Sequence, residues 1–176
     1  MNNFAITGAD KACINLPSSA DAMIFEGTMT NCNTDGESWG GAIVNYPGST
    51  GGMLHVENVT IENAYVNLID TDLQHVTVSN VTATITSGAT QTGTVLTSDF
   101  GVASEVKLFN FDAADYSSAS INALGLINMT EVDIGAADLT IAPGGASSTA
   151  NGPSGDSAIM DDVTAGDMMI YRMQPS

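Results

Sequence analysis

The sequence predicts an all-β chain wound as a β-solenoid of about six to seven irregular coils. Three observations predict it. First, a short phrase recurs: Val56, Asn58, Val59, Thr60 and Ile61 are echoed by Val78, Asn80, Val81, Thr82 and Ala83. Second, the segments alternate with period two, as in Val-Thr-Ala-Thr-Ile-Thr at 81–86, and are rich in the branched residues that suit half-buried strands. Third, an Asn stands between two alternating runs, and Asn tolerates the left-handed conformation that a sharp bend requires. Each phrase therefore reads as strand, one-residue corner, strand. A unit of this kind cannot bury its apolar face alone, so recurrence implies stacking.

Taken in order, "FAITGADKACINL" at 4–16 reads as opening strands, and Ile24, Glu26, Gly27, Thr28 and Met29 make the first full copy, with Gly27 breaking an apolar place. The copies at Val56 and Val78 follow. Leu108, Asn110, Phe111, Asp112 and Ala113 carry Asp in the Thr place; a weak copy is expected at Ile134, Ala136, Ala137, Asp138 and Leu139. The last, Met160, Asp162, Val163, Thr164 and Ala165, substitutes Asp for Asn, and "GDMMIYRM" at 166–173 reads as a closing strand. Spacings of 22 to 32 residues mean that loops vary while the strand pair does not. Two excursions are expected, at 33–53 and at 143–157, the second too poor in apolar groups to offset its ordering entropy. The whole chain, 1–176, is expected to be one domain, a mature chain or a piece of a larger secreted protein.

These phrases resemble the right-handed parallel β-helix family, the pectate-lyase-like fold, over about residues 20 to 170. In that family an Asn at the bend stacks on the Asn of the next coil. The resemblance thus implies a ladder at Asn58, Asn80, Asn110 and Asp162. It rests on the coil pattern and carries no active-site motif, so it implies a fold and not an activity.

Charge narrows the partners. Lys11, Lys107 and Arg172 face twenty carboxylates, a net charge of −17. Such a surface repels nucleic acid and anionic membranes. It suits a salty exterior, where ions screen the self-repulsion, and calcium is the cofactor it admits, although none is required. No apolar run reaches the eighteen or so residues of a membrane span. The start, "MNNFAITGAD", lacks a basic segment and an apolar signal core, so an extracellular or cell-surface location requires a mature or excised piece.

Placing Thr30-Asn31-Cys32 in register with Glu62-Asn63-Ala64, and Lys11-Ala12-Cys13 one coil earlier, puts Cys13 and Cys32 at equivalent positions. Neighbouring strands lie about 4.8 Å apart, within a disulfide's reach. The alternative is two small thiols stacked in the core. Sequons occur at Asn58, Asn80 and Asn128. The first two are ladder positions, which leaves Asn128 as the glycosylation candidate. Trp39, the only Trp, and Tyr46 share the first excursion, which either folds over the flank or offers an aromatic contact for a sugar or partner.

Catalytic signals are sparse. The three cations are scattered over different coils, which disfavours a lyase acting on uronates, and Asp161-Asp162 is the only adjacent Asp pair. Without a nearby His or basic group it reads as a solvated turn. His55 and His75 each precede a Val that opens a strand run, one coil apart, and could stack as a pair, although two histidines without a nearby third ligand make a weak metal site. Outward columns of Thr are expected at Thr28, Thr60, Thr82 and Thr164, and at Thr30, Thr84 and Thr140, interrupted by Glu62, Asp112 and Asp138. The expected function is an extracellular structural or adhesive module, in a stalk, sheath or filament, whose end coils meet other copies or neighbouring domains. A carbohydrate-active enzyme or glycan-binding module is the alternative, and an ice- or mineral-surface binder using the Thr columns is the second.

Overall fold

A computed structural model describes residues 1–45, 51–71, 73–86, 96–97, 105–115, 119–121, 126–135, 139–141 and 158–170. Among them every regular element is a strand. Strands β1 (Asn2–Ala9), β3 (Asp21–Cys32), β5 (Met53–Ala64), β7 (His75–Thr84), β9 (Glu105–Asp112), β11 (Leu126–Asp133) and β13 (Ala158–Thr164) form a seven-stranded sheet in that order. A four-stranded sheet holds β2 (Ala12–Leu16), β4 (Gly41–Asn45), β6 (Asn67–Asp70) and β8 (Leu96–Thr97), and a three-stranded one holds β10 (Ala119–Ile121), β12 (Leu139–Ile141) and β14 (Met168–Ile170). Neighbouring strands run parallel throughout. Along the chain, each strand of the large sheet is followed by one from a short sheet. No helix among the described residues is long and apolar enough to cross a membrane.

The repeated phrase sets the register of the large sheet. Val56 pairs with Ile24 on one side and Val78 on the other, and Val59 with Gly27 and Val81. Inward positions form apolar columns: Ile24, Val56, Val78, Leu108 and Met129 in one, Leu54, Val76, Val106 and Ile127 in another, all buried. Simple alternation from Val56 would point Asn58 inward. A left-handed residue there skips one step, so Asn58 is exposed and Val59 returns to the core.

Gly27 interrupts the apolar column that runs through Val59, Val81, Phe111 and Val132, and the reason is Phe4. A Cβ at residue 27 would lie 2.3 Å from Phe4 Cε1, so the ring of the preceding strand occupies the space of the missing side chain.

Three expectations are corrected. The weak copy at Ile134–Leu139 is out of frame: Met129 pairs with Leu108, Val132 with Phe111 and Asp133 with Asp112, so the corner of β11 is Glu131. Leu139 already belongs to β12 of the three-stranded sheet. The excursion at 33–53 contains β4, whose five residues are all buried. Gly40 and Gly41 make this packing feasible, because a Cβ at Gly41 would sit 2.2 Å from the Asn67 carbonyl oxygen and one at Gly40 would sit 2.3 Å from that of Lys11. Glycines that read as loop are there for close approach between backbones. Finally, Cys32 pairs with Ala9, not with Cys13. Cys13 lies in β2, and the disulfide Cys13–Cys32 spans two sheets with a Cα–Cα distance of 5.2 Å. The excursion at 143–157 lies outside the described residues.

Candidate functional site

The corner column is the most regular feature of the large sheet. The strand pairings align Asn3, Glu26, Asn58, Asn80, Asn110, Glu131 and Asp162, with φ between 47° and 56°. Left-handed backbone costs an L-residue about 1–2 kcal/mol. Side-chain bonds offset this in the middle of the column: Asn80 Nδ2 donates to Asn58 Oδ1 at 3.0 Å, and Asn110 Nδ2 donates to Asn80 Oδ1 at 2.9 Å. The amide of Asn80 is thereby engaged at both its nitrogen and its oxygen. Of the four residues expected in the ladder, Asn58, Asn80 and Asn110 are bonded to one another, and Asp162 stands exposed at the corner of the last strand.

A second left-handed column, at Gly8, Asn31 and Asn63, turns the chain out of the large sheet, and sequence reasoning missed it. Asn63 Nδ2 donates to Asn31 Oδ1 at 3.1 Å, and Asn63 Oδ1 accepts from the Thr86 backbone N–H at 2.8 Å. Deeper in, Asn33 is fully buried and fully used: its Nδ2 donates to the carbonyls of Glu37 and Tyr65, and its Oδ1 accepts from Glu37 N–H. Asn67 donates to the carbonyls of Ser38 and Gly40. Buried carboxamides that satisfy loop backbone in this way are structural. The signal was present, since the same alignment that matched Thr30-Asn31-Cys32 to Glu62-Asn63-Ala64 already stacked the two Asn.

Outward positions just beyond the corner form the Thr face. Ala5, Thr28, Thr60, Thr82, Asp112, Asp133 and Thr164 occupy one exposed column; the next holds Thr7, exposed, with Thr30, Glu62 and Thr84 half-buried. Thr140 is not part of it, because it lies in β12. The interruption expected at Asp138 falls on Asp133 instead, and Asp138 lies outside the described residues.

On the other arm the outward face is mixed in character. His55 faces Thr77, and His75 faces Met53, so the two histidines sit in different columns and do not stack. Each has an acidic neighbour, His55 Nε2 at 3.5 Å from Glu57 and His75 Nδ1 at 3.8 Å from Glu105. Lys107 Nζ reaches the same Glu105 at 2.7 Å. Phe25 meets the His55 ring edge-on with centroids 5.2 Å apart. Exposed pairs of this sort contribute about 0–1 kcal/mol each. Asn128 lies in β11, half-buried, opposite Lys107. Trp39 is exposed, with Lys11 Nζ 5.3 Å from its ring centroid; Tyr46 lies outside the described residues.

Among the described residues no three His, Cys, Asp or Glu side chains converge as a metal-holding group. Asp161 points outward opposite Thr130, beside the corner residue Asp162. The large sheet terminates in β1 at one end and β13 at the other, each with one described neighbour. Compared with known proteins, the chain matches no family model, no curated protein and no solved structure.

Proposed function

We propose that the chain is a right-handed parallel β-solenoid of the pectate-lyase-like kind, serving outside the cell as a structural or adhesive module whose end strands engage copies of itself or neighbouring domains. The observation that carries the reading is the parallel seven-stranded sheet with its left-handed corner repeated from β1 to β13, including both end strands. Strands that leave this sheet, enter a short one and return parallel support a winding path, and parallel crossovers are right-handed in nearly all proteins. Unpaired end strands are templates for further pairing unless something covers them. A charge of −17 fits an exterior where salt screens it and where calcium binds carboxylates on adjacent modules.

The solenoid is tested by removing one unit. Deleting residues 56–77 joins His55 to Val78, which already pairs with Val56, and preserves the frame. A solenoid remains folded and unfolds cooperatively after this deletion; collapse to an unfolded or aggregated chain contradicts it. The role is tested by incubating the intact protein with neutral and acidic polysaccharides. No chain cleavage is expected, whereas cleavage lost in Asp161→Asn or Asp162→Asn makes the chain an enzyme instead.

The Thr face favours a second reading, binding to ice or a mineral surface. Thr28, Thr30, Thr60, Thr82 and Thr84 occupy positions spaced about 4.8 Å between strands and about 6.6 Å along them. Thermal hysteresis is its readout, and a freezing point equal to the melting point rules the ice version out.

A further inference from the structure

We propose that copies of this chain join head to tail, β13 of one pairing in parallel with β1 of the next so that Asp162 stands opposite Asn3. The proposal rests on the solenoid reading and names the partner of its ends. β1 and β13 are the two ends of one parallel sheet, so a copy added at either end continues the sheet in the same direction. A contact between two different surfaces repeats without closing, which makes a filament.

The corners set the register. Asn3 has φ 50° and Asp162 φ 53°, so both edges already carry the bend that each interior neighbour shares. Aligning them places Asp161 opposite Asn2 and Val163 opposite Phe4, and two carboxylates then face two carboxamides, acceptors against donors. Phe4 and Val163 are each partly buried against an end of the core, and the joint covers both. In the short sheets β14 and β2 are likewise end strands among the described residues, and a second pairing in the same joint would use them.

The symmetric alternative is weaker on the same grounds. Two β13 edges meeting across a two-fold axis run antiparallel, break the corner column and bring the Asp161-Asp162 pair of each copy together. Like charges directly opposite one another destabilise strand pairing.

The test is a cross-link specific to this register. Asn2→Cys and Asp161→Cys are made singly and together; both native cysteines are already paired with each other, so only the new thiols react. Directly opposed residues on paired strands lie within the Cα separation that a disulfide allows. Oxidised at sea-water salt, the double variant is expected to give a ladder of covalent oligomers, and a mixture of the two single variants a heterodimer. Covalent dimers of Asp161→Cys alone overturn the proposal in favour of a tail-to-tail joint. Assembly in the ultracentrifuge without either cross-link overturns the register, and strict monomers at every concentration overturn self-association. Neither result touches the solenoid, which stands or falls with the deletion of residues 56–77. Val163→Glu, a change at the edge with no engineered thiol, is expected to shift the protein to monomer with its far-ultraviolet circular dichroism unchanged. Undiminished assembly of Val163→Glu also overturns the joint.

Discussion

Asn80 combines a left-handed backbone, at φ 51°, with side-chain bonds to both neighbours in the column. Asn80→Gly retains the backbone freedom and loses the two bonds, an expected cost of about 1–2 kcal/mol at such an exposed site. Asn80→Val loses the bonds and adds strain, so it is expected to cost about 1–2 kcal/mol more than the Gly variant in urea unfolding. Equal costs show that the corner does not depend on backbone preference. Gly27 offers a complementary case: Gly27→Ala is expected to destabilise by about 1–3 kcal/mol, and Phe4→Ala in the same chain to recover part of that, because the three atoms nearest the added Cβ all belong to the Phe4 ring. A double-mutant cycle with no coupling contradicts this. At this scale Asn58, Asn80 and Asn110 were legible because Asn is a turn residue that interrupts a period-two pattern. Glu26 was placed at the corner by the phrase around it, whereas Glu131 holds the same geometry and only strand pairing identifies it, since Glu has no special liking for left-handed backbone and no clear copy of the phrase surrounds it. The frame therefore slipped to Ile134.

Among the elements, β4 shows most clearly what composition conceals. Its neighbours are Gly-rich, yet Gly41 lets β4 pack against β6 closely enough that any side chain at that position meets the Asn67 backbone. Gly41→Val is accordingly expected to cost about 2–3 kcal/mol and to speed amide exchange at Ile43 and Val44, whereas exchange unchanged from the parent places the clash elsewhere. The disulfide acts at the same scale. Cys13 and Cys32 are 19 residues apart and tie β2 to the end of β3. Replacing both by Ala is expected to lower stability by roughly 3 kcal/mol, chiefly by releasing the unfolded chain. A change below about 0.5 kcal/mol means that the sheets hold this junction without it. The sequence left Cys13 and Cys32 open between a disulfide and two stacked thiols, and the expected route to a bridge, equivalent places on adjacent strands, was wrong. The disulfide crosses between sheets, and nothing local in the sequence fixes how the short strands pack against the long ones.

For the whole molecule, the alternation of apolar and polar residues made the all-β parallel architecture legible, since each apolar set forms a buried column. Outward chemistry was less so. Face assignments depend on register and on which sheet a strand joins: a two-residue offset separates His55 from His75 on paired strands, and membership of β12 removes Thr140 from the Thr face. Net charge makes its own prediction: with −17 on the chain, stability is expected to rise with sodium chloride from about 10 mM to sea-water strength, as the screening length falls from about 30 Å to a few ångströms. Stability that falls over that range contradicts a fold limited by self-repulsion.

Whether the chain is a parallel solenoid that grows through its ends is decided by small-angle X-ray scattering over a concentration series at sea-water salt. The predicted result is a cross-section that stays constant while particle length increases with concentration. A curve independent of concentration, with the radius of gyration of about 16 Å expected for one compact chain of this size, contradicts it.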